Sequence, residues 1–348
     1  MEDNRIALDF DSNLFEKIKP AFRYDGKESM ESWQDRAYKR LWELLGLDRM
    51  EKPKDDKFST EPEFEVYGIK VIPFSFQSEE GYFVPGYITL PKDHKGEKLP
   101  LCICLQGHST GMHNSVYMNY DRTPMTEESK DYVSDGDRGF CNRAVKEGYV
   151  AVCIEQRYMG LTGTYKEKPG CSGLQSMASL LMGRSGIGCR VWDVMRTIDA
   201  LEKNLDYIDT ENTVCMGNSG GGTATFYASC IEKRIKYSMP SCAFCTYKDS
   251  IVDIRHCACN YIPGIALDFD MGDLAGLIAP RNLVIVNGAV DKIFPEFGVK
   301  KAFDVAKTAF DAFGGKIELV TGDGGHRFYA DDAWPVLHRL EKENGIVR

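Results

Sequence analysis

The sequence lacks the features that mark membrane-spanning, secreted and nucleic-acid-binding proteins. Its 348 residues contain no apolar run of about 18 residues, the length that a membrane-spanning helix needs. The N-terminal segment MEDNRIALDFDSNLFEKIKP is acidic, and it has neither the basic start nor the apolar core of a secretory signal. No basic run offsets the formal net charge of −9, so we expect neither a nucleic acid nor a membrane as a partner.

Cysteine, by contrast, is abundant. Twelve cysteines in a chain without a recognisable signal indicate reduced thiols and a cytoplasmic protein, with an extracellular disulfide-bonded protein as the alternative. Cys242, Cys245, Cys257 and Cys259 follow a C-x2-C-x11-C-x-C pattern. The last pair is spaced more tightly than the ligands of structural zinc sites usually are. We therefore expect buried free thiols there and no bound metal.

Short apolar runs alternate with helical segments over most of the chain. Such strands, apolar throughout and separated by helices, indicate an α/β protein with a mostly parallel sheet and helices on both faces. The runs are LPLCICLQG, YVAVCIEQR, NTVCMGNS, RIKYSMPSCAF, RNLVIVNGAVD and KIELVTGDGGH. Before them, EFEVYGIKVIPFSF and YFVPGYITLP predict an antiparallel pair of strands.

The same pattern predicts the domain organisation. Residues 1–60 are polar with helical spacing, clearest in MESWQDRAYKRLWELLGL, and predict an N-terminal helical extension. Residues 61–348 contain no internal repeat or low-complexity linker, which favours a single α/β domain. Within it, residues 241–280 are longer than an ordinary connection and predict an insertion or cap over one end of the sheet.

A glycine-rich turn, GNSGGG, lies between a predicted strand and a predicted helix. A phosphate-binding loop would need a following lysine and a dinucleotide fingerprint a third spaced glycine, and neither is present, so the turn matches neither kind of loop. The pattern G-x-S-x-G does match, over residues 217–221. A serine there, Ser219, would stand at a helix N-terminus, where free N–H groups favour a developing negative charge. A tight turn capped by Ser219 is the alternative.

A nucleophilic serine needs a base and an acid. In one common chain order the acid and then the histidine follow the serine, which leaves His256, His326 and His338 as candidate bases. His338 lies in a helical C-terminal segment and His256 in the presumed insertion, whereas His326 directly follows the last predicted strand. Asp291 directly follows the strand before that one. We therefore predict a catalytic triad of Ser219, Asp291 and His326; the alternative is a helix-capping aspartate and a loop histidine.

An oxyanion hole needs two backbone donors. The residue after the nucleophile, Gly220, supplies one N–H. The loop after LPLCICLQG reads GHSTGMHN, so we predict the N–H of His108 as the second donor. His108 could instead bind a metal with His113, but no carboxylate or cysteine lies near them at ligand spacing.

Six segments together resemble the α/β-hydrolase superfamily, and more narrowly its acetylxylan esterase and dienelactone hydrolase-like branch. They are LPLCICLQGHSTG, YVAVCIEQRYMG, RVWDVMRTIDALEKNLDYID, TVCMGNSGGGTATFYASCIEKRIKYSMPSCAF, LVIVNGAVDKIFP and GDGGHRFY, spread over residues from about 60 to 340. The resemblance implies the α/β-hydrolase fold and carboxylic ester hydrolysis without a cofactor. It also implies that Ser219 is the nucleophile, Asp291 the acid and His326 the base.

The chain departs from these esterases at three positions. Glu155 stands where they have aspartate, Tyr158 where they have glycine, and Gln106 where they usually have histidine. We therefore expect a small or saccharide ester as substrate, without assuming the same acetylated sugar. A serine peptidase, an acyltransferase and a non-catalytic binding protein on the same fold are the alternatives. Oligomers are common among such esterases, so the resemblance leaves a homo-oligomer open.

Overall fold

The computed structural model describes residues 7–108, 111–130, 138–163 and 173–346, and these residues form a ten-stranded sheet. Its strands are β1 Ser59–Thr60, β2 Phe64–Val66, β3 Ile69–Glu79, β4 Tyr82–Pro91, β5 Leu99–Leu105, β6 Val150–Ile154, β7 Ile208–Asn218, β8 Ile235–Ser241, β9 Asn282–Gly288 and β10 Ile317–Gly322. The order across the sheet is β1-β3-β4-β6-β5-β7-β8-β9-β10, with β2 paired to β3. All neighbouring pairs from β6 to β10 along this order are parallel. The mostly parallel sheet predicted from the sequence is confirmed.

Helices cover both faces of this sheet. They are α1 Ala7–Phe15, α2 Met30–Leu45, α3 Phe140–Lys146, α4 Gly173–Leu181, α5 Gly186–Asn204, α6 Gly220–Ile231, α7 Ile265–Asp268, α8 Met271–Leu274, α9 Glu296–Phe313 and α10 Ala330–Glu343. The buried apolar residues form two clusters. One includes side chains of α2, α5, α6 and α9, and the other includes side chains of α3 and α10. A sheet with apolar strands is stable here because each face is buried under its own set of helices.

The antiparallel start of the sheet differs from the sequence prediction in one respect. β3 and β4 pair antiparallel, as expected. The single strand predicted over residues 63–76 is wrong, because the chain turns back at Tyr67 and Gly68 and makes β2 and β3 a hairpin. Both turn residues have positive φ, 46° and 77°. A tight two-residue hairpin turn requires this conformation at both positions. Tyrosine is not one of the residues typical of such a turn, so the sequence did not indicate a hairpin here.

The N-terminal segment packs into the same core as the sheet. Trp33 of α2 is buried in the larger apolar cluster, and its indole N–H donates to the carbonyl of Phe22 at 3.0 Å. Arg23 forms an ion pair with buried Asp273, which lies in the segment predicted as an insertion. The boundary at residue 60 and the insertion over residues 241–280 stay predictions. None of the helices in the described ranges is long and apolar enough to cross a membrane.

Candidate active site

Ser219 occupies a sharp turn between β7 and α6. Its backbone has φ 56° and ψ −122°, a region that residues with a side chain rarely adopt. Its N–H donates to the carbonyl of Ser241 at 2.8 Å, and its carbonyl accepts the N–H of Thr223 at 2.8 Å. A strained serine between a parallel strand and a helix has the geometry of a nucleophile elbow.

Two glycines make this turn possible by close approach. A Cβ on Gly217 would lie 2.6 Å from the carbonyl oxygens of Gly221 and Leu105. A Cβ on Gly221 would overlap the carbonyl of Leu105. Side chains at either position would therefore push the elbow away from the end of β5. In this chain, the close packing of the turn therefore requires glycine at both glycine positions of G-x-S-x-G.

Asp291 and His326 form a hydrogen-bonded pair beyond the ends of β9 and β10. The Nδ1–H of His326 donates to Oδ2 of Asp291 at 2.8 Å. The other carboxylate oxygen, Oδ1, accepts the backbone N–H groups of Ile293 at 2.7 Å and Phe294 at 3.3 Å. Burial by itself raises the pKa of Asp291, but the hydrogen bond and the charge of His326 outweigh it and hold the pKa below its usual value. Asp291 is therefore ionised and fixed in orientation, which leaves Nε2 of His326 to act as a base.

Ser219 is not hydrogen-bonded to this pair. Among the described residues, no hydrogen bond joins the side chain of Ser219 to His326. Such bonds are often long in an enzyme without substrate and shorten when the substrate binds. The catalytic roles of Ser219, Asp291 and His326 therefore stay predictions.

Ser241, which the sequence argument did not single out, connects the two halves of the site. This buried serine ends β8, the strand between β7 and β9. Its carbonyl accepts the N–H of Ser219, and its hydroxyl lies 2.9 Å from Oδ1 of Asn218 and 3.2 Å from the carbonyl of Arg327. The elbow and the loop that carries His326 are thus tied to one side chain. The only feature of the sequence that could have indicated Ser241 is its position at the end of β8, the strand between β7 and β9.

Cys242, the next residue, supports the acid. Its backbone has φ 46°, and its thiol donates to the carbonyl of Arg327 at 3.3 Å. Its sulfur and the side-chain ligand atoms of Asp291 and His326 lie within 4.8 Å of one another. Burial raises the pKa of the Cys242 thiol, so it faces the carboxylate as a neutral group.

His108 follows β5 and lies beside the elbow. A Cβ on Gly220 would be 2.5 Å from two atoms of the His108 ring, and a Cβ on Gly107 would be 3.2 Å from Cβ of Ser219. Gly220 begins α6, where the first N–H groups have no partner inside the helix. Both residues predicted to form the oxyanion hole therefore adjoin Ser219, and their role as donors stays a prediction. Residues 109 and 110 of this loop lie outside the described residues.

The other histidines are engaged elsewhere. Nε2 of His256 lies 2.9 Å from the hydroxyl of Ser250, and its pKa is lowered to about 4 by burial and by the nearby His326. His338 is hydrogen-bonded to Glu341, which lies on the same helix, α10, and to Glu147, which follows α3. Neither is hydrogen-bonded to Asp291, whereas His326 is.

His113 does not join His108. Its Nδ1 lies 2.9 Å from the phenol oxygen of Tyr87, and its ring packs edge-on against Tyr120. Burial lowers its pKa to about 4. The metal site of His108 and His113 considered from the sequence is therefore not formed; the nearest thiol to Nε2 of His108 is Cys259, at 3.2 Å.

The segment EQRYMG after β6 has a structural role in this chain. The carboxylate of Glu155 is buried and accepts the N–H groups of Met112 at 3.3 Å and Leu161 at 3.2 Å. Burial raises its pKa to about 7. Tyr158 has φ 70°, a backbone conformation that favours glycine.

The four cysteines of the C-x2-C-x11-C-x-C pattern do not converge on one point. Cys242 lies beside Asp291, and Cys245 is buried near the carbonyl of Pro295. Cys257 and Cys259 instead lie beside His108. None of the four forms a disulfide.

Comparison with known proteins places this arrangement in a known fold. No family model matches the sequence. Over 222 residues the chain is 26% identical to a protein of Bacillus subtilis (strain 168) with the curated name "Putative hydrolase YtaP"; the match covers 62% of this chain and 68% of that protein.

Solved structures are similar over nearly the whole chain. A structure titled as a "putative acetyl xylan esterase" of Bacteroides fragilis NCTC 9343 has a TM-score of 0.70 at 16% identity, covering 92% of this chain and 84% of its own. A CE15 glucuronoyl esterase from Teredinibacter turnerae T7901 has a TM-score of 0.66 at 13% identity, covering 97% and 90%. The chain therefore has the α/β-hydrolase fold, as the resemblance predicted.

Proposed function

We propose that the protein is a serine hydrolase of carboxylic esters that works through an acyl-enzyme. The observation that carries the proposal is the strained elbow at Ser219, joined through Ser241 to the loop of an Asp291–His326 pair. The names of the structural neighbours, acetyl xylan and glucuronoyl esterases, support an ester as the substrate. The hydrolase name of the Bacillus subtilis relative agrees with it.

The proposed reaction has two acyl-transfer steps. Nε2 of His326 takes the hydroxyl proton of Ser219 as its oxygen attacks the ester carbonyl. The N–H groups of Gly220 and His108 stabilise the tetrahedral oxyanion, each worth roughly 3 kcal/mol in such a role. The intermediate collapses when His326 gives its proton to the departing alcohol. A water molecule, deprotonated by His326, then attacks the acyl-enzyme, and His326 returns the proton to the oxygen of Ser219 as the acid is released.

Asp291 keeps His326 in the tautomer that this sequence of transfers needs. Its carboxylate accepts the Nδ1 proton and stabilises the imidazolium that forms in each step. No metal or organic cofactor takes part in the proposed reaction.

The proposed substrate is a small or saccharide ester, with removal of an acetyl group as the first case to test. The cavities found near the predicted insertion lie on the side of α1: one of about 540 Å³ is lined by Phe15, Tyr247, Asn260 and Tyr261. Ser219 does not line it, although Oδ1 of Asn260 lies 3.3 Å from the hydroxyl of Thr223, on the helix that Ser219 begins. The 241–280 segment therefore adjoins the helix that follows the elbow. The described cysteines form no disulfide, which suits a cytoplasmic location.

Replacing the nucleophile tests the proposal. Ser219→Ala should lower kcat/KM for p-nitrophenyl acetate by at least about 10⁴-fold, because it removes the attacking oxygen. Labelling by a fluorophosphonate should be lost in parallel. The matched control is Ser229→Ala, a buried serine of the same helix whose hydroxyl donates to the carbonyl of Thr225. Turnover and labelling that persist in folded Ser219→Ala would rule the mechanism out; cleavage of amides in preference to esters would make the protein a peptidase.

A further inference from the structure

Three potential metal ligands converge beside the elbow from distant parts of the chain. His108 comes from the loop after β5, and Cys257 and Cys259 come from the 241–280 segment, at the start of a short 3₁₀ helix, Ala258–Asn260. Nε2 of His108 lies 3.2 Å from Sγ of Cys259. The imidazole and the two sulfurs all lie within 4.8 Å of one another.

We propose that His108, Cys257 and Cys259 bind a zinc ion. Zinc bonds of about 2.0 Å to nitrogen and 2.3 Å to sulfur in a tetrahedron separate a nitrogen and a sulfur by about 3.6 Å and two sulfurs by about 3.8 Å. The observed separations therefore need only small side-chain shifts to reach this geometry. One imidazole and two thiolates are soft or borderline ligands, which favour zinc over magnesium or calcium. The tight C-x-C spacing, which argued against a four-cysteine site, is compatible with a site whose third ligand comes from the loop after β5.

A second cluster of potential ligands is less suitable. Cys242, Asp291 and His326 are equally close together. There, however, one oxygen of Asp291 already accepts the proton of His326, and the other accepts two backbone N–H groups. A metal would have to break these bonds, whereas Nε2 of His108 already points at a sulfur.

A buried cation lies beside the three proposed ligands. Arg190 is buried, and its Nη1 lies 3.4 Å from Sγ of Cys259. Its Nη2 has no hydrogen-bond partner within the described part of the chain. The guanidinium therefore packs directly against one of the sulfurs that would bind the metal.

The proposed zinc ion would link the loop after β5 to the 241–280 segment beside Gly220. The metal would be held through the Nε2 atom of His108, whereas the proposed oxyanion donor is the backbone N–H of the same residue. Zinc binding does not require Ser219, which is not one of the three proposed ligands. Ser219→Ala should bind zinc as the wild type does, so failure of one proposal leaves the other standing.

The test uses the full-length protein, reduced with a non-chelating phosphine and freed of metal. After addition of Zn²⁺ and dialysis, elemental analysis should find one zinc per chain. Replacement of zinc by Co²⁺ should give the thiolate-to-cobalt charge-transfer absorption of a tetrahedral site with sulfur ligands. Cys257→Ser, at the partly exposed ligand, should weaken zinc binding by more than about tenfold. Cys245→Ser, a buried thiol of the same 241–280 segment, is the control and should bind normally.

Circular dichroism and size-exclusion chromatography establish that each variant is folded. His108→Gln gives a second test on the other segment, and its cobalt spectrum should lose intensity as that of Cys257→Ser does. Absence of stoichiometric zinc in the reduced wild-type protein would overturn the proposal. Zinc binding and a cobalt spectrum that are unchanged in Cys257→Ser and His108→Gln would overturn it as well.

Discussion

Replacing Asp291 by asparagine tests the acid of the proposed triad with little change in shape. The outcome depends on which way the new amide faces. Two backbone N–H groups, those of Ile293 and Phe294, donate to the Oδ1 position. The amide oxygen must therefore occupy that position, since an NH₂ group there would face two donors. The NH₂ group is consequently directed at Nδ1 of His326.

This orientation forces His326 into the wrong tautomer. Nδ1 must accept a hydrogen bond from the amide, so the ring proton moves to Nε2. A protonated Nε2 cannot take the proton of Ser219. The same exchange in a serine protease costs about 10⁴-fold in kcat, which corresponds to roughly 5.4 kcal/mol of transition-state stabilisation. We expect a loss of this size for Asp291→Asn, with a fold that is unchanged.

Steady-state hydrolysis of p-nitrophenyl acetate at pH 7–9 measures this loss. Asp323→Asn is the matched control, because Asp323 lies in the same loop as His326 and is exposed. It should retain wild-type activity. If Asp291→Asn kept kcat within about tenfold of the wild type, the tautomer argument would fail and Asp291 would be a structural residue.

Two further variants test the packing and the electrostatics around the site. Gly221→Ala places a Cβ onto the carbonyl of Leu105 and should lower the free energy of unfolding by about 3 kcal/mol in urea titrations, whereas Gly163→Ala, with only ordinary contacts, should be near neutral. Glu155 has a folded pKa raised to about 7, so its contribution to stability is fully present below the unfolded pKa near 4.5 and is lost as pH rises through 7. Glu155→Gln loses one of the two backbone hydrogen bonds at every pH, but its stability relative to the wild type should rise by up to about 3 kcal/mol between pH 5 and pH 8, and a difference independent of pH would refute the assignment.

The sequence was most informative where local chemistry decides structure. The glycines around Ser219 are needed for close backbone approach, and Asp291 and His326 each follow an apolar run that became a strand of the sheet. These signals are local, so a single sequence contains them. The fold class followed from the alternation of apolar strands with helices.

Features that depend on distant contacts could not be predicted. The closeness of His108 to Cys259 depends on how the 241–280 segment folds over the sheet, and no spacing along the chain encodes it. The turn at Tyr67 was missed for a different reason. A tyrosine with positive φ is uncommon, so residue type argued against a hairpin there.

The sheet order explains why the loop after β10 must fold back to complete the site. β5, β7, β8, β9 and β10 are consecutive neighbours. Strands are spaced by about 4.8 Å, so β10 lies roughly 14 Å from β7, too far for a histidine at its end to reach Ser219 directly.

Two contacts show how this distance is crossed. The loop passes over the end of β9, where a Cβ on Gly288 would overlap the carbonyl of Gly325. It then reaches the end of β8, where the Ser241 hydroxyl lies 3.2 Å from the carbonyl of Arg327. His326 lies between these two contacts along the chain. Chain order alone therefore predicts the acid and the base, whereas a glycine at 288 and a serine at 241 bring the loop of the predicted base back towards Ser219.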